Sequence, residues 1–310
     1  MTAISAVASH RPTTVPLARL QRDVGMSDGQ LRQYERYYGL AEICREPGEG
    51  ETQLLRRAVA ALPELRGRES DVRYVLQART MPSPMPYPHT STAPLLEELG
   101  LRHATGFVVS QHACASGLLA LDMAGTLLTA DGDPDALALV LAGEKVGSRQ
   151  SQSIPGVTVM GEATAAVLLS AGGTGDRLLG YAARTHSRFH DQFLMEDPQA
   201  AKEFQALYAP ALCEVVRAAL DRAGCTLDEV ALVLPHNVNR LSWVAVCRML
   251  GIPMARVYLD LVARTGHCFC ADPFVNLQQA TLDGRLATGD RYVMTSVGLG
   301  ATFAAMVLEH

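Results

Sequence analysis

Apolar residues along this chain fall into two kinds of run. Short runs are apolar at nearly every position, and longer stretches repeat their apolar residues every three to four positions. The short runs predict strands over 71–78, 105–110, 136–142, 164–170, 230–234, 257–261, 292–297 and 301–308. Strands apolar on both sides belong in a sheet covered by helices on each face. The longer stretches predict helices over 51–62, 115–129, 198–223, 238–250 and 273–286,. Gly224 and Gly251 sit where two of these should stop, because glycine accepts the left-handed turn that ends a helix,. Strands alternating with helices predict a layered α/β fold. A glycine-rich break at Ala171-Gly-Gly-Thr-Gly-Asp176 divides the chain into halves of 1–170 and 171–310, with no Ser/Gly/Pro linker between them.

Composition narrows the function classes. With 48% hydrophobic and 19% charged residues, the 310-residue chain has enough apolar surface for a large core,. A net charge of −5 gives no overall basic field to attract nucleic acid,. No run reads as long and apolar enough to span a bilayer, and the first residues lack a basic-then-apolar leader pattern, so no membrane partner is expected. Seven scattered cysteines make a poor disulfide framework and suit a reducing cytoplasm,. The segment 81–90, with four prolines, predicts a rigid irregular loop,.

Four stretches carry candidate chemistry. In Ala113-Cys-Ala-Ser-Gly117 a strand runs into a small-residue turn and then a helix. This places Cys114 at a helix N-terminus, where unpaired N–H groups favour a thiolate. In Leu234-Pro-His-Asn237 a strand delivers His236 and Asn237 to its C-terminal edge, where α/β sheets hold ligands,. Arg264-Thr-Gly-His-Cys-Phe-Cys-Ala-Asp-Pro273 brings His267, Cys268, Cys270 and Asp272 together. It lacks the second ligand pair of a zinc site, and Asp272 followed by Pro273 reads as an N-cap before N1. Ser296-Val-Gly-Leu-Gly-Ala-Thr302 is a glycine-rich turn between two strands. It can be an ordinary hairpin turn, or one whose N–H groups face a pocket, as an oxyanion hole requires.

In this order and spacing, these segments resemble the thiolase-like condensing enzymes, in particular the ketoacyl-acyl carrier protein synthase III group. The resemblance spans essentially the whole chain and includes Gly161–Ala166 and Val297–Gly300. It implies a five-layered αβαβα fold of two similar halves, a homodimer, and no cofactor. It also implies Cys114 as the acylated nucleophile, His236 beside it as acid/base or donor, and an oxyanion hole at the N–H groups of Cys114 and the Gly298-Leu299-Gly300 turn. Substrate contacts would come from Tyr87 of the proline loop, Arg36 and Asn237.

The chain departs from the group where Gly-Asn-Thr-Ser is expected and Gly266-His-Cys-Phe stands. His267 could donate a hydrogen bond as the asparagine would, preserving decarboxylative C–C condensation. Alternatively, Gly-His followed by Asp-Pro resembles a natural-product branch that moves acyl groups to oxygen or nitrogen, with Asp272 orienting His236. A carboxylate behind a histidine favours general-base chemistry. The leading expectation is therefore transfer from a carrier-protein or coenzyme A thioester to a small-molecule hydroxyl or amine. Condensation, or a silent scaffold beside an active synthase, are the alternatives.

Overall fold

The computed structural model describes residues 2–81, 92–190 and 197–310. Its main sheet contains β1 (Thr2–His10), β2 (Val72–Ala78), β3 (Thr105–Val109), β4 (Leu137–Ala142), β5 (Thr164–Ala171), β6 (Asp176–Thr185), β7 (Val230–Leu234), β8 (Arg291–Gly298) and β9 (Thr302–Glu309). Across the sheet the order is β7-β8-β9-β6-β1-β5-β4-β2-β3. The strand β2 runs parallel to β3 and β4, and β7 parallel to β8, while the remaining neighbours are antiparallel. The link between β1 and β6 is narrow, with Ala3 opposite Arg177 and Ile4 opposite Asp176. Two half-sheets therefore meet at a thin seam.

The helices that cover them are α1 (Glu51–Ala60), α2 (Thr92–Glu98), α3 (Ser116–Asp131), α4 (Pro198–Ala223), α5 (Arg240–Leu250) and α6 (Asp272–Leu282). Alternate residues of a strand point to opposite faces. Leu137, Leu139 and Leu141 thus pack with Leu55, Ala58 and Leu95 of α1 and α2, whereas Ala138, Val140 and Ala142 pack with Leu118 and Leu121 of α3. In the other half, Val293 and Phe303 pack with Leu212 of α4 and Trp243 of α5, while Met294 and Met306 join Phe274 of α6. The layers are α1/α2, half-sheet, α3/α6, half-sheet, α4/α5. This is the five-layered αβαβα order of the thiolase-like fold.

Some elements differ from the sequence reading. The strands β1 and β6 were not expected, because polar and small residues break their apolar runs. In β1 those polar groups are paired, Ser5 Oγ with Ser170 Oγ at 2.7 Å and Ser9 Oγ with Gln278 Oε1 at 2.5 Å. The strand expected over 257–261 reduces to one bridge between Val233 and Val257, after which the chain enters the short helix Val262–Thr265. The helix expected from Val238 starts at Arg240, because Asn239 accepts the Ser242 N–H and caps it. Contrary to the sequence reading, the 19 residues Ala113–Asp131 are long and apolar enough to cross a membrane by length and composition. Their apolarity has a structural cause, since α3 lies in the middle layer between the two half-sheets.

Candidate active site

The small residues around Cys114 let three backbones converge on it. After β3 the chain turns through Ala113, whose φ of 47° is left-handed and unusual for a residue with a Cβ,. Such conformations persist where the surroundings enforce them. A 3-10 turn over Ala113–Ala115 then runs directly into α3. A Cβ on Gly117 would lie 2.8 Å from the Cys270 carbonyl oxygen, so glycine is needed where α3 meets the Cys270 turn. A Cβ on Gly298 would lie 2.0 Å from the His112 carbonyl oxygen, so glycine lets β8 press against the cysteine turn. Ser296 Oγ donates to the Cys114 carbonyl at 2.8 Å. Cys114 itself is buried, with Sγ 3.3 Å from Thr80 Oγ1 and 3.2 Å from His267 Nε2.

The imidazole in hydrogen-bond contact with the sulfur is thus His267, whereas the resemblance pointed to His236. The backbone of His267 is fixed by its N–H to the Val159 carbonyl at 3.0 Å and by its carbonyl to the Gly161 N–H at 2.8 Å. His267 Nδ1 donates to Asp272 Oδ2 at 2.5 Å, which turns Nε2 toward Cys114. Burial alone would lower the His267 pKa. The Asp272 carboxylate, then the Cys114 sulfur, and hydrogen bonds to both outweigh burial and raise it,. Asp272 is not an N-cap, since a 3-10 turn over Phe269–Ala271 precedes it and it is the first residue of α6. Its carboxylate instead collects N–H groups from outside the helix, those of Cys268 at 2.7 Å and Asn237 at 2.6 Å. Asp272 does not orient His236.

His236 is also buried. Its Nε2 lies 2.6 Å from Tyr208 Oη, and its ring centroid is 6.2 Å from that of His267. Burial, reinforced by the His267 charge, pushes its pKa down to about 3. The two histidines therefore carry opposite charge preferences. Asn237, expected to touch substrate, is buried with its side chain exchanging hydrogen bonds with Asn276 at 3.1 and 2.9 Å. Its role is support, since its N–H holds Asp272 and its partner Asn276 holds the Pro235 carbonyl at 2.7 Å.

A cavity of about 30 Å³ opens on Cys114 and is lined also by Thr80, Met160, Phe269 and Leu299. Gly298 and Gly300 flank Leu299 in the hairpin turn, and Leu299 shares the cavity with Cys114. A second cavity of about 560 Å³ adjoins it through Pro155 and is lined by Tyr38, Phe204, Tyr208, Asn239 and Leu241. Arg36 is exposed, stacked on Tyr37 at 5.6 Å from its ring centroid, and does not line this cavity. Tyr87 lies outside the described residues. Cys268 and Cys270 turn to different carbonyls, of Thr265 at 3.6 Å and Ala113 at 3.3 Å.

Two neighbours escaped the sequence reading. Thr80 is held against the sulfur by Glu144, which accepts the N–H groups of Thr80 at 2.8 Å and Met81 at 3.1 Å and pairs with buried Arg79 at 3.2 Å. Tyr208 sits among the apolar residues of α4, and nothing in the local pattern separates its phenol from a core aromatic.

Residues 220–310 match the family model described as 3-Oxoacyl-[acyl-carrier-protein (ACP)] synthase III C terminal. A beta-ketoacyl-[acyl-carrier-protein] synthase III of Rhizorhabdus wittichii is 28% identical over 281 residues, covering 85% of this chain and 86% of that protein. Among solved structures, 3-oxoacyl-[acyl-carrier-protein] synthase III of Aquifex aeolicus VF5 superposes with a TM-score of 0.83 at 22% identity, covering 100% of both chains. ChlB3, described as an acyltransferase, superposes with a TM-score of 0.87 at 20% identity, covering 99% of this chain and 97% of its own. Residues 220–310 thus carry the synthase III C-terminal domain, and the whole chain is similar to ketoacyl-acyl carrier protein synthase III proteins in sequence and shares their fold.

Proposed function

We propose that this protein is an acyltransferase that takes an acyl group from a carrier-protein or coenzyme A thioester onto Cys114 and passes it to a hydroxyl or amine. The observation that carries this reading is the placement of His267 between Cys114 Sγ and Asp272, at 3.2 and 2.5 Å. In the first step the Cys114 sulfur attacks the thioester carbonyl carbon, its proton being held on His267 Nε2, which Asp272 favours in the protonated form. The N–H groups of Cys114 and of the turn at Leu299 hold the developing oxyanion. Collapse expels the donor thiolate, which recovers the proton from His267 and leaves an acyl-enzyme. In the second step His267 Nε2 takes the proton of the acceptor O–H or N–H as that atom attacks the acyl carbon. The departing Cys114 sulfur then takes the proton back. Asp272 supports the imidazolium in both steps.

Decarboxylative condensation is the second reading, favoured by the names of the curated relatives. It needs N–H donors aimed at an enolate oxygen. Here His236 Nε2 is paired with Tyr208, so of the two imidazoles only His267 Nε2, at the sulfur, faces the reacting centre as a donor. The proposed assembly is a homodimer joined at β3, the last strand on one side of the sheet, where Val108 is 37% exposed.

Intact-mass measurement with acyl-coenzyme A donors tests the proposal. The expected result is a single acyl adduct that an alcohol or amine discharges, and no adduct on the Cys114→Ala variant. An adduct that persists in that variant overturns it. Carbon dioxide release from a malonyl thioester, coupled to C–C bond formation, would establish the condensation reading instead.

A further inference from the structure

Two imidazoles are buried in this centre, and the mechanism above uses one of them. The other, His236, has an unusual environment. Its Nε2 lies 2.6 Å from Tyr208 Oη, and its Nδ1 is buried with no partner in hydrogen-bonding geometry. The direction of the Tyr208–His236 bond follows from charge. Burial drives the Tyr208 pKa far above its ordinary value, so the phenol keeps its proton. The ring of His236 is neutral, so one of its nitrogens carries a lone pair,. If Nε2 held the proton, it would donate to the phenol oxygen, and Nδ1 would turn a bare lone pair toward the Thr295 carbonyl,. With the phenol donating, Nε2 accepts and the ring proton sits on Nδ1. The Thr295 backbone carbonyl lies beside the ring and favours a proton there. Tyr208 also lines the cavity of about 560 Å³.

We propose that Tyr208 is a specificity-determining positioning residue: its phenol holds His236 Nε2 as an acceptor and so withholds the N–H donor that C–C condensation would need. In such a condensation the malonyl carboxylate leaves as carbon dioxide. The electron pair of the broken C–C bond becomes an enolate, and the enolate carbon attacks the Cys114 thioester and expels the thiolate. The enolate oxygen requires donors while that charge exists. Transfer to oxygen or nitrogen passes through no enolate and does not need this donor. The specificity consequence rests on the acyltransferase reading, but the hydrogen-bond assignment does not.

Long-range proton–nitrogen NMR on the histidine-labelled full chain reads the tautomer directly, with His236→Gln assigning the signal. The wild type is expected to show His236 protonated at Nδ1, with an acceptor-type shift at Nε2. The Tyr208→Phe variant keeps the ring and removes the hydroxyl. It is expected to populate the Nε2–H form, and to raise carbon dioxide release from malonyl thioester relative to acyl transfer about tenfold, the weight of one hydrogen bond to a developing charge. An Nε2–H tautomer in the wild type overturns the proposal even if no variant folds. An unchanged tautomer and an unchanged product ratio in Tyr208→Phe overturn it as well. Failure of the Cys114 adduct test with the Nδ1–H tautomer intact would remove the function while leaving the Tyr208 assignment standing.

Discussion

Asp272 is the residue on which the site turns. Its carboxylate receives the His267 Nδ1–H and two backbone N–H groups, from Cys268 and Asn237, with no exposure to solvent. Replacing it by asparagine keeps the shape and removes the charge that stabilises an imidazolium. Asp272→Asn is expected to slow acyl transfer by about 10²–10⁴-fold, measured as turnover with a fixed donor and acceptor. The same variant has a stability signature. The folded pKa of His267 is raised above the ordinary 6.5. Below that value both folded and unfolded states hold the proton, and the stabilisation is complete. As pH rises above 6.5 the unfolded chain releases its proton while the folded chain still binds it, so stability declines until the folded group also titrates. Denaturant unfolding of the wild type should therefore lose stability upward from about pH 6.5, and Asp272→Asn should flatten that decline.

At the scale of elements, the groups proposed to react arrive on separate segments, and glycines decide how closely those segments approach. Gly161, just before β5, is the clearest case. A Cβ there would lie 2.0 Å from the Thr265 carbonyl oxygen, in the turn that carries His267. Gly161→Ala must push that turn away, and a shift of about 1 Å between reacting groups costs on the order of 100-fold in rate. The expected outcome is such a loss of turnover with the far-ultraviolet circular dichroism of the folded protein retained. The identity of this glycine segment was legible in the chain, but its purpose was not. Its contact with His267 joins positions more than a hundred residues apart, which no local pattern encodes. The strands β4, β5, β7, β8 and β9 were legible because each is apolar on both faces. The strands β1 and β6 were not, because their polar residues find partners only in the assembled sheet.

For the whole molecule, the half-sheets close over α3 and α6, which leaves β3 as the edge strand at one margin among the described residues. An open edge invites pairing with another chain unless it is guarded by charge. Placing a lysine at position 108, where the side chain is partly exposed, should disfavour a β3-to-β3 contact. Val108→Lys is expected to convert the proposed dimer to a monomer in sedimentation equilibrium, with little change in unfolding of the single chain. A dimer that survives this change would place the contact elsewhere.

The chain by itself determined the layered architecture, since apolar periodicity reports burial on one face or two, and it also identified Cys114, His267 and Asp272 as chemically notable. It could not decide which histidine serves the sulfur. His236 and His267 both follow strands or bridges and both precede helices, so their local signals are alike. Only the packing of the His267 turn against Val159 and Gly161 brings its Nε2 to Cys114, while Tyr208 on α4 claims His236. The choice depends on distances between segments remote in sequence, and such distances exist only once the two half-sheets and their shared helical layer are in place.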